Sequence, residues 1–432
     1  MGRFTKYDVD IIDFQIQSQL DFIVHAILDV LQKNVIAIIL GGGFGKGEGS
    51  IKFVGERILP LRDYDILVVV EKIPNDETVS RLYQQIYRNT GVKSRLYRFS
   101  DFVVDLIMTT RNGLKRFPDI FSYEIKVASQ LLYGEDVRKE IPWEIKDIPL
   151  SSGWRFLFEK ITALIGHFPQ QYITEGHVDQ HKQEMLIYEC YKTYMEIATA
   201  LTLLIGCYQP SFSARAKAFK SNYHKKLPSL QEVLPELSDT VEKTTQFKLH
   251  PVFEKLDENS LKLWFKTRDD LITVAKFYLN KYLNANITDF IQSEQAIVYG
   301  LHSNYFKPQA KAICNTSFKT NNTFSIAATN ASLQLSHNLY YVNNFRKNRK
   351  IASKILRYPF NSVTVRLHAI APQVILSIQR DGRIDLHNFE SAKRSLLWLV
   401  PHAQITSFED FFNSTVTVLI PLVLFKFQFK LD

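Results

Sequence analysis

A β-branched apolar run, Asn34 to Leu40, stops at three successive glycines, Gly41, Gly42 and Gly43. A run this short, with no polar alternation, predicts a strand buried on both faces that ends in a tight turn. The chain continues as Phe44-Gly45-Lys46-Gly47-Glu48-Gly49-Ser50. Glycines in that position let backbone N–H groups approach an anion with no Cβ in the way. A helix beginning near Lys46–Ser50 would aim its N-terminal partial charge at the same anion.

Two further apolar runs frame the first. Ile66 to Val70 is entered through Arg62-Asp63-Tyr64-Asp65, and Phe102 to Met108 carries Asp105 inside it. Between them, Asp76-Glu77-Thr78-Val79-Ser80 has the composition of a helix start, with Leu82, Ile86 and Tyr87 on one face. Ile16 to Leu31 also has helical spacing. Residues 1–145 therefore read as a mixed-sheet α/β domain. After Pro142 and Gly153 the period becomes helical through Trp154–Cys207 and again over 239–283, which predicts a mainly helical domain over 146–300. The class is α+β. The C-terminal region, 301–432, stays open: 300–345 is rich in Asn, Ser and Thr and suits a loop or linker, while Val363-Thr364-Val365 and Val374-Ile375-Leu376 are strand-like.

Composition excludes several classes of protein. With 46% apolar residues in 432, the chain can bury more than one core. Three cysteines without a Cys-x-x-Cys pair exclude a disulfide framework and a thiolate zinc site, and suit a reducing cytoplasm. Asp8, Asp10 and Asp13 leave the first residues without the apolar stretch of a signal peptide. The run Thr415 to Phe425 is interrupted by Pro421 and too short to span a membrane, so it reads as a buried strand or short core helix. A net charge of +9 favours phosphate-bearing ligands without saying which. The basic segment Arg215, Lys217, Lys220, His224, Lys225, Lys226 reads as a solvated face or as a contact to phosphates or an acidic acceptor. The cluster Arg346 to Arg357 reads in the same two ways, and His177 with His181 reads as surface.

The aspartates carry the chemistry. In Asp63-x-Asp65 both carboxylates point to one side of a strand. With Asp105 they form a set of three that repel one another unless a cation neutralises them. Oxygen ligands beside phosphate favour Mg²⁺, and two such ions could hold the attacking and the leaving oxygen of an in-line displacement. The third carboxylate could take the proton of an attacking hydroxyl. Asp101 competes for that place, and the tighter apolar flank favours Asp105.

At these residues the sequence resembles the polymerase-β-type nucleotidyltransferase superfamily: an apolar strand, Gly-Gly, then Asp-x-Asp, then an acidic residue on a neighbouring strand. Gly42-Gly43-Phe44-Gly45-Lys46-Gly47-Glu48 is similar to the Gly-Gly-Tyr-Gly-Arg-Gly-Glu form of some bacterial members and prokaryotic relatives. Gln130 to Asp136 is similar to the Leu-Tyr-Gly-Asp segment that often closes such domains. The resemblance covers residues 34–140. It implies a Mg²⁺-dependent enzyme that moves a nucleoside monophosphate from an NTP, ATP foremost, to a hydroxyl of a small molecule or protein and releases pyrophosphate. Gly42 and Gly43 would hold the triphosphate, Asp63, Asp65 and Asp105 would bind metal and act in catalysis, and Lys46 would contact phosphate. The nineteen residues between Gly43 and Asp63 exceed the family's usual spacing, so Ser50–Leu61 is expected to form a loop or hairpin at the mouth of the site. Two alternatives stand beside this: addition of nucleotides to RNA, which the net charge supports only weakly, and a catalytically silent nucleotide-binding module.

Overall fold

The computed structural model describes residues 2–90, 103–168, 180–253, 259–344, 363–381 and 385–399. Asp101, His177, the Arg346–Arg357 cluster and the Thr415–Phe425 run lie outside these residues.

In chain order the α/β part consists of α1 (Asp10–Leu31), β1 (Val35–Leu40), β2 (Ile51–Val54), β3 (Arg57–Pro60), β4 (Asp63–Val70), α2 (Asp76–Thr90), β5 (Val103–Thr110), α3 (Ile120–Val127) and β6 (Gln130–Gly134). Its four-stranded sheet has the order β5-β4-β1-β6. β4 and β5 run parallel, while β1 is antiparallel to both β4 and β6. The alternation of β4 explains its place. Tyr64, Ile66, Val68 and Val70 face a core with α1 and α2, whereas Leu67 and Val69 face a second core that includes Ile125 of α3. β1 is buried on both faces, as its unbroken apolar run requires. The expected insertion is a hairpin, with β2 and β3 paired from Ile51–Pro60 to Val54–Arg57.

One expectation is displaced. The helical turn after β1 is Gly42–Gly45, ahead of the Lys46–Ser50 position, because Gly45 N–H already bonds the Gly41 carbonyl at 2.9 Å.

The helical part follows: α4 (Leu150–His167), α5 (Gln180–Leu204), α6 (Phe212–Lys226), α7 (Pro228–Val233), α8 (Leu237–Leu249) and α9 (Ser260–Leu283). Then come α10 (Glu294–Asn304), α11 (Lys307–Thr316), α12 (Thr323–Asn344), α13 (Val363–Leu376) and α14 (Leu386–Leu399). One apolar core runs through them, from Trp154 and Trp264 to Leu301, Phe306, Leu333 and Val374.

Two sequence expectations are corrected here. Within the polar stretch 300–345, the segments to Asn304, Lys307–Thr316 and Thr323–Asn344 are helices, not a loop or linker: Leu301, Ala310, Cys314 and Leu333 are buried in them, and most of the Asn, Ser and Thr residues occupy less buried positions. The strand-like fragments at 363–365 and 374–376 belong to one helix, α13, which packs on α4 and α10. Local β-branched composition yields there to the burial of Val365, Leu367, Ala369, Ile370, Val374 and Ile375.

Candidate active site

The glycine turn and the aspartate pair are built against each other. Gly41 N–H bonds the main-chain oxygen of Asp65 at 2.8 Å, which ties the end of β1 to the start of β4. Gly42 has φ of +59°, and a Cβ there would lie 1.9 Å from Asp65 Oδ2. Only glycine tolerates both the left-handed backbone and that approach. Asp63 and Asp65 share a face of β4, opposite the fully buried Tyr64, whose hydroxyl donates to Gln19 Oε1 at 2.8 Å. Asp105 is the register partner of Asp65 on the parallel β5 and stands on the same sheet face.

These residues open onto a cavity of about 510 Å³ between the sheet and the helical part. Gly42, Gly43, Lys46, Asp63 and Asp65 line it, while Asp105 sits beside Asp65 without being among its lining residues. Among the described residues, no three Asp, Glu, His or Cys side chains are grouped closely enough to hold a metal ion as they stand. The donors still suit one kind of ion. Asp63 and Asp65 offer hard oxygens beside a turn stripped of Cβ atoms, and Mg²⁺ commonly takes one or two carboxylates and completes its shell with water and phosphate.

Cations converge on the turn from both parts of the molecule, and several escape sequence reading. Lys248, at the end of α8, is buried, and its ammonium donates to the Glu48 carbonyl. A Cβ on Gly43 would come within 2.9 Å of its Nζ. Burial pushes the Lys248 amine down to about 7, against the opposing pull of Glu48. Lys46 and Lys248 each lie 4.4 Å from the centre of the Phe212 ring. The Lys46 ammonium donates to Glu124 at 2.6 Å, and burial lowers its pKa while Glu124 opposes that fall. Glu124 also accepts from Arg215 at 2.7 Å, so Arg215 belongs to the site, whereas Lys217, Lys220, His224, Lys225 and Lys226 lie on the exposed side of α6.

Arg62 directly precedes Asp63 and donates to Glu189 at 2.5 Å. Lys160 donates to the other oxygen of Glu189 at 2.6 Å. Burial raises the Glu189 pKa, but Lys160 and Arg62 together hold this carboxyl well below its usual range. Position beside Asp63 is the only sequence signal for Arg62. Lys248 gave none, because its role comes from how α8 docks.

Glu48 has a clear place: its carboxylate caps α6. It accepts from Ser211 Oγ at 2.8 Å, from Phe212 N–H at 2.5 Å and from Ser213 N–H at 3.3 Å. It thereby fastens the glycine turn to the helical part.

No family model and no curated protein matches the chain. Among solved structures the chain is similar to a spectinomycin adenyltransferase from Enterococcus faecialis, solved with ATP and spectinomycin. The identity is 15% and the TM-score 0.37, over 59% of this chain and 98% of that one. With so distant a likeness, function has to be argued from the site itself.

Proposed function

We propose that the protein is a nucleotidyltransferase that moves the nucleoside monophosphate of an NTP, ATP foremost, to an acceptor hydroxyl and releases pyrophosphate. One observation carries this reading. Asp63 and Asp65 stand side by side on one strand face, packed against the bare Gly42 turn, at a cavity into which Lys46, Arg62, Lys248 and Arg215 also reach. That combination provides carboxylate oxygens where a metal–phosphate complex would need them and cations where a triphosphate would need them.

In this reading the triphosphate lies along Gly42 and Gly43, with Lys248 as the nearest cation to Gly43. Lys46 contributes field from its pair with Glu124. The acceptor oxygen forms a bond to the α-phosphorus as the bond from that phosphorus to the bridging oxygen of the β-phosphate breaks. The hydroxyl proton passes to a carboxylate, for which Asp105, beside Asp65, is the candidate. Mg²⁺ held by Asp63 and Asp65 would neutralise phosphate oxygens and polarise the reacting phosphorus. Arg62, fixed by Glu189, keeps a positive charge next to Asp63.

The test is pyrophosphate release from each of the four NTPs with Mg²⁺, using a soluble cell extract as acceptor source. The double variant Asp63→Asn/Asp65→Asn runs alongside. Release by the wild type that the double variant abolishes is expected. Tight NTP binding with no release would replace the enzyme with a silent nucleotide-binding module.

A further inference from the structure

The face of β4 turned away from the cavity is tied as closely as the face that carries the aspartates. Tyr64 stands there between Asp63 and Asp65, fully buried, and its hydroxyl donates to Gln19 Oε1 at 2.8 Å. Its ring meets the Phe44 ring edge-on, with 4.7 Å between their centres. Phe44 belongs to the glycine turn, and a Cβ on Gly49 would come within 2.2 Å of its ring. Tyr64 thus links the turn to the strand from beneath the site.

Gln19 extends this link to the hairpin. Its amide donates to the Ile58 carbonyl of β3 at 2.9 Å. Gln15, one turn earlier on α1, accepts from Ile58 N–H at 3.0 Å and donates to the Glu56 carbonyl at 3.3 Å. The hairpin closes just ahead of Asp63, where Leu61 N–H bonds the Ser50 carbonyl at 2.9 Å. Its two feet, Ser50 and Arg62, line the cavity, whereas none of the described residues from Ile51 to Leu61 does.

We infer that Gln19 is a positioning residue for the aspartate pair, acting through Tyr64, and that the hairpin braces the site from behind. This role rests on the nucleotidyl-transfer reading, in which Asp63 and Asp65 hold a divalent cation. Successive side chains of a strand point to opposite faces, so a tilt of Tyr64 swings both carboxylates the other way. A fully buried hydroxyl is costly to separate from its acceptor, so Gln19 fixes the ring where Phe44 alone would let it slide. Groups that hold metal ligands in place commonly change metal affinity by about 10–100-fold when removed. Gln15 serves as an internal contrast, because its two bonds go to the hairpin main chain and none to Tyr64.

The experiment uses the full chain and Mn²⁺ alone as probe, with binding read by water-proton relaxation. Pyrophosphate release as a function of Mg²⁺ concentration is the second readout. Wild-type Mn²⁺ binding should vanish in Asp63→Asn/Asp65→Asn. Tyr64→Phe, which removes only the hydroxyl, and Gln19→Leu should each weaken Mn²⁺ binding by about tenfold and raise the Mg²⁺ requirement by the same factor. Combining them should weaken binding no further than Gln19→Leu does, because both break one hydrogen bond. Gln15→Leu should lower the urea midpoint as Gln19→Leu does, yet leave Mn²⁺ affinity at the wild-type value. Unchanged Mn²⁺ affinity in Tyr64→Phe, additive losses in the double variant, or an equal loss in Gln15→Leu would each overturn the inference. So would wild-type Mn²⁺ binding that survives loss of both aspartates. Failure of the parent reading looks different: Mn²⁺ would bind and respond to these variants as expected, while the wild type released no pyrophosphate from any NTP.

Discussion

Gly42 is the most constrained residue of the site, and its replacement separates geometry from charge. In Gly42→Ala the new Cβ collides with Asp65 Oδ2 at 1.9 Å and must also adopt a φ of +59°. Relief moves Asp65, and a shift of about 1 Å at a reacting centre is worth about 10²-fold in rate. Pyrophosphate release should fall by that order in a protein that still folds; unchanged turnover would show that Asp65 takes no part. Lys248 yields a prediction in pH. An unfolded lysine titrates near 10.4, whereas burial holds this one at about 7. Between those values the folded state binds fewer protons than the unfolded, so this group makes stability rise with pH from about 7 to about 10. Phosphate binding has the opposite sign, because only the ammonium attracts it. Pyrophosphate affinity measured by calorimetry should therefore decline as pH rises through about 7, and Lys248→Met should flatten that part of the profile. The glycines and aspartates were legible in sequence because they act within a few residues of one another. Lys248 was not, since it reaches Gly43 from more than two hundred positions away.

At the scale of elements, the joint between the glycine turn and α6 depends on one carboxylate. Glu48 is fully buried, and burial raises its pKa, but the hydrogen bonds from Ser213, Ser211 and Phe212 outweigh that and hold it below the usual carboxylate range. Its contribution is therefore present at neutral pH and is lost as pH falls through the lowered pKa. Glu48→Ala leaves the N-terminal N–H groups of α6 and two hydroxyls without their acceptor, which should cost about 3 kcal/mol, read as a fall in urea midpoint at neutral pH. The gap to wild type should narrow in acid. Among the elements themselves, the strands were readable because an apolar run flanked by Gly or Asp has few alternatives. The hairpin followed from an insertion that had to leave and return to the same place. α13 was not readable: Val363-Thr364-Val365 favours a strand locally, and only the faces of α4 and α10 decide otherwise. The helices over 300–344 were hidden for a related reason, since their exposed sides are Asn- and Thr-rich and only sparse apolar positions mark the buried face.

For the whole molecule, the cavity exists only while the α/β and helical parts are docked, and the ties across that boundary are polar, most of them charged. Arg62 to Glu189, Glu124 to Arg215, Ser50 Oγ to the Lys248 carbonyl at 2.5 Å and Glu48 to α6 all cross it. Such ties add little where they are exposed to water, but breaking one member of a buried set leaves the rest unpaired at a cost of about 3–5 kcal/mol. Glu189→Ala strands both Arg62 and Lys160, so its loss should be felt on each side of the boundary. Calorimetry of the wild type should show one transition, because neither part can release the other without exposing these charges. Glu189→Ala should lower that transition and split it into two. MgATP should then raise the wild-type transition as ligand concentration exceeds the dissociation constant, and raise the upper transition of the variant far less, since a ligand stabilises only the state that holds its site. Two separate transitions already present in the wild type would mean that the parts fold independently. In that case the site would be assembled by the nucleotide, with the docked arrangement its consequence.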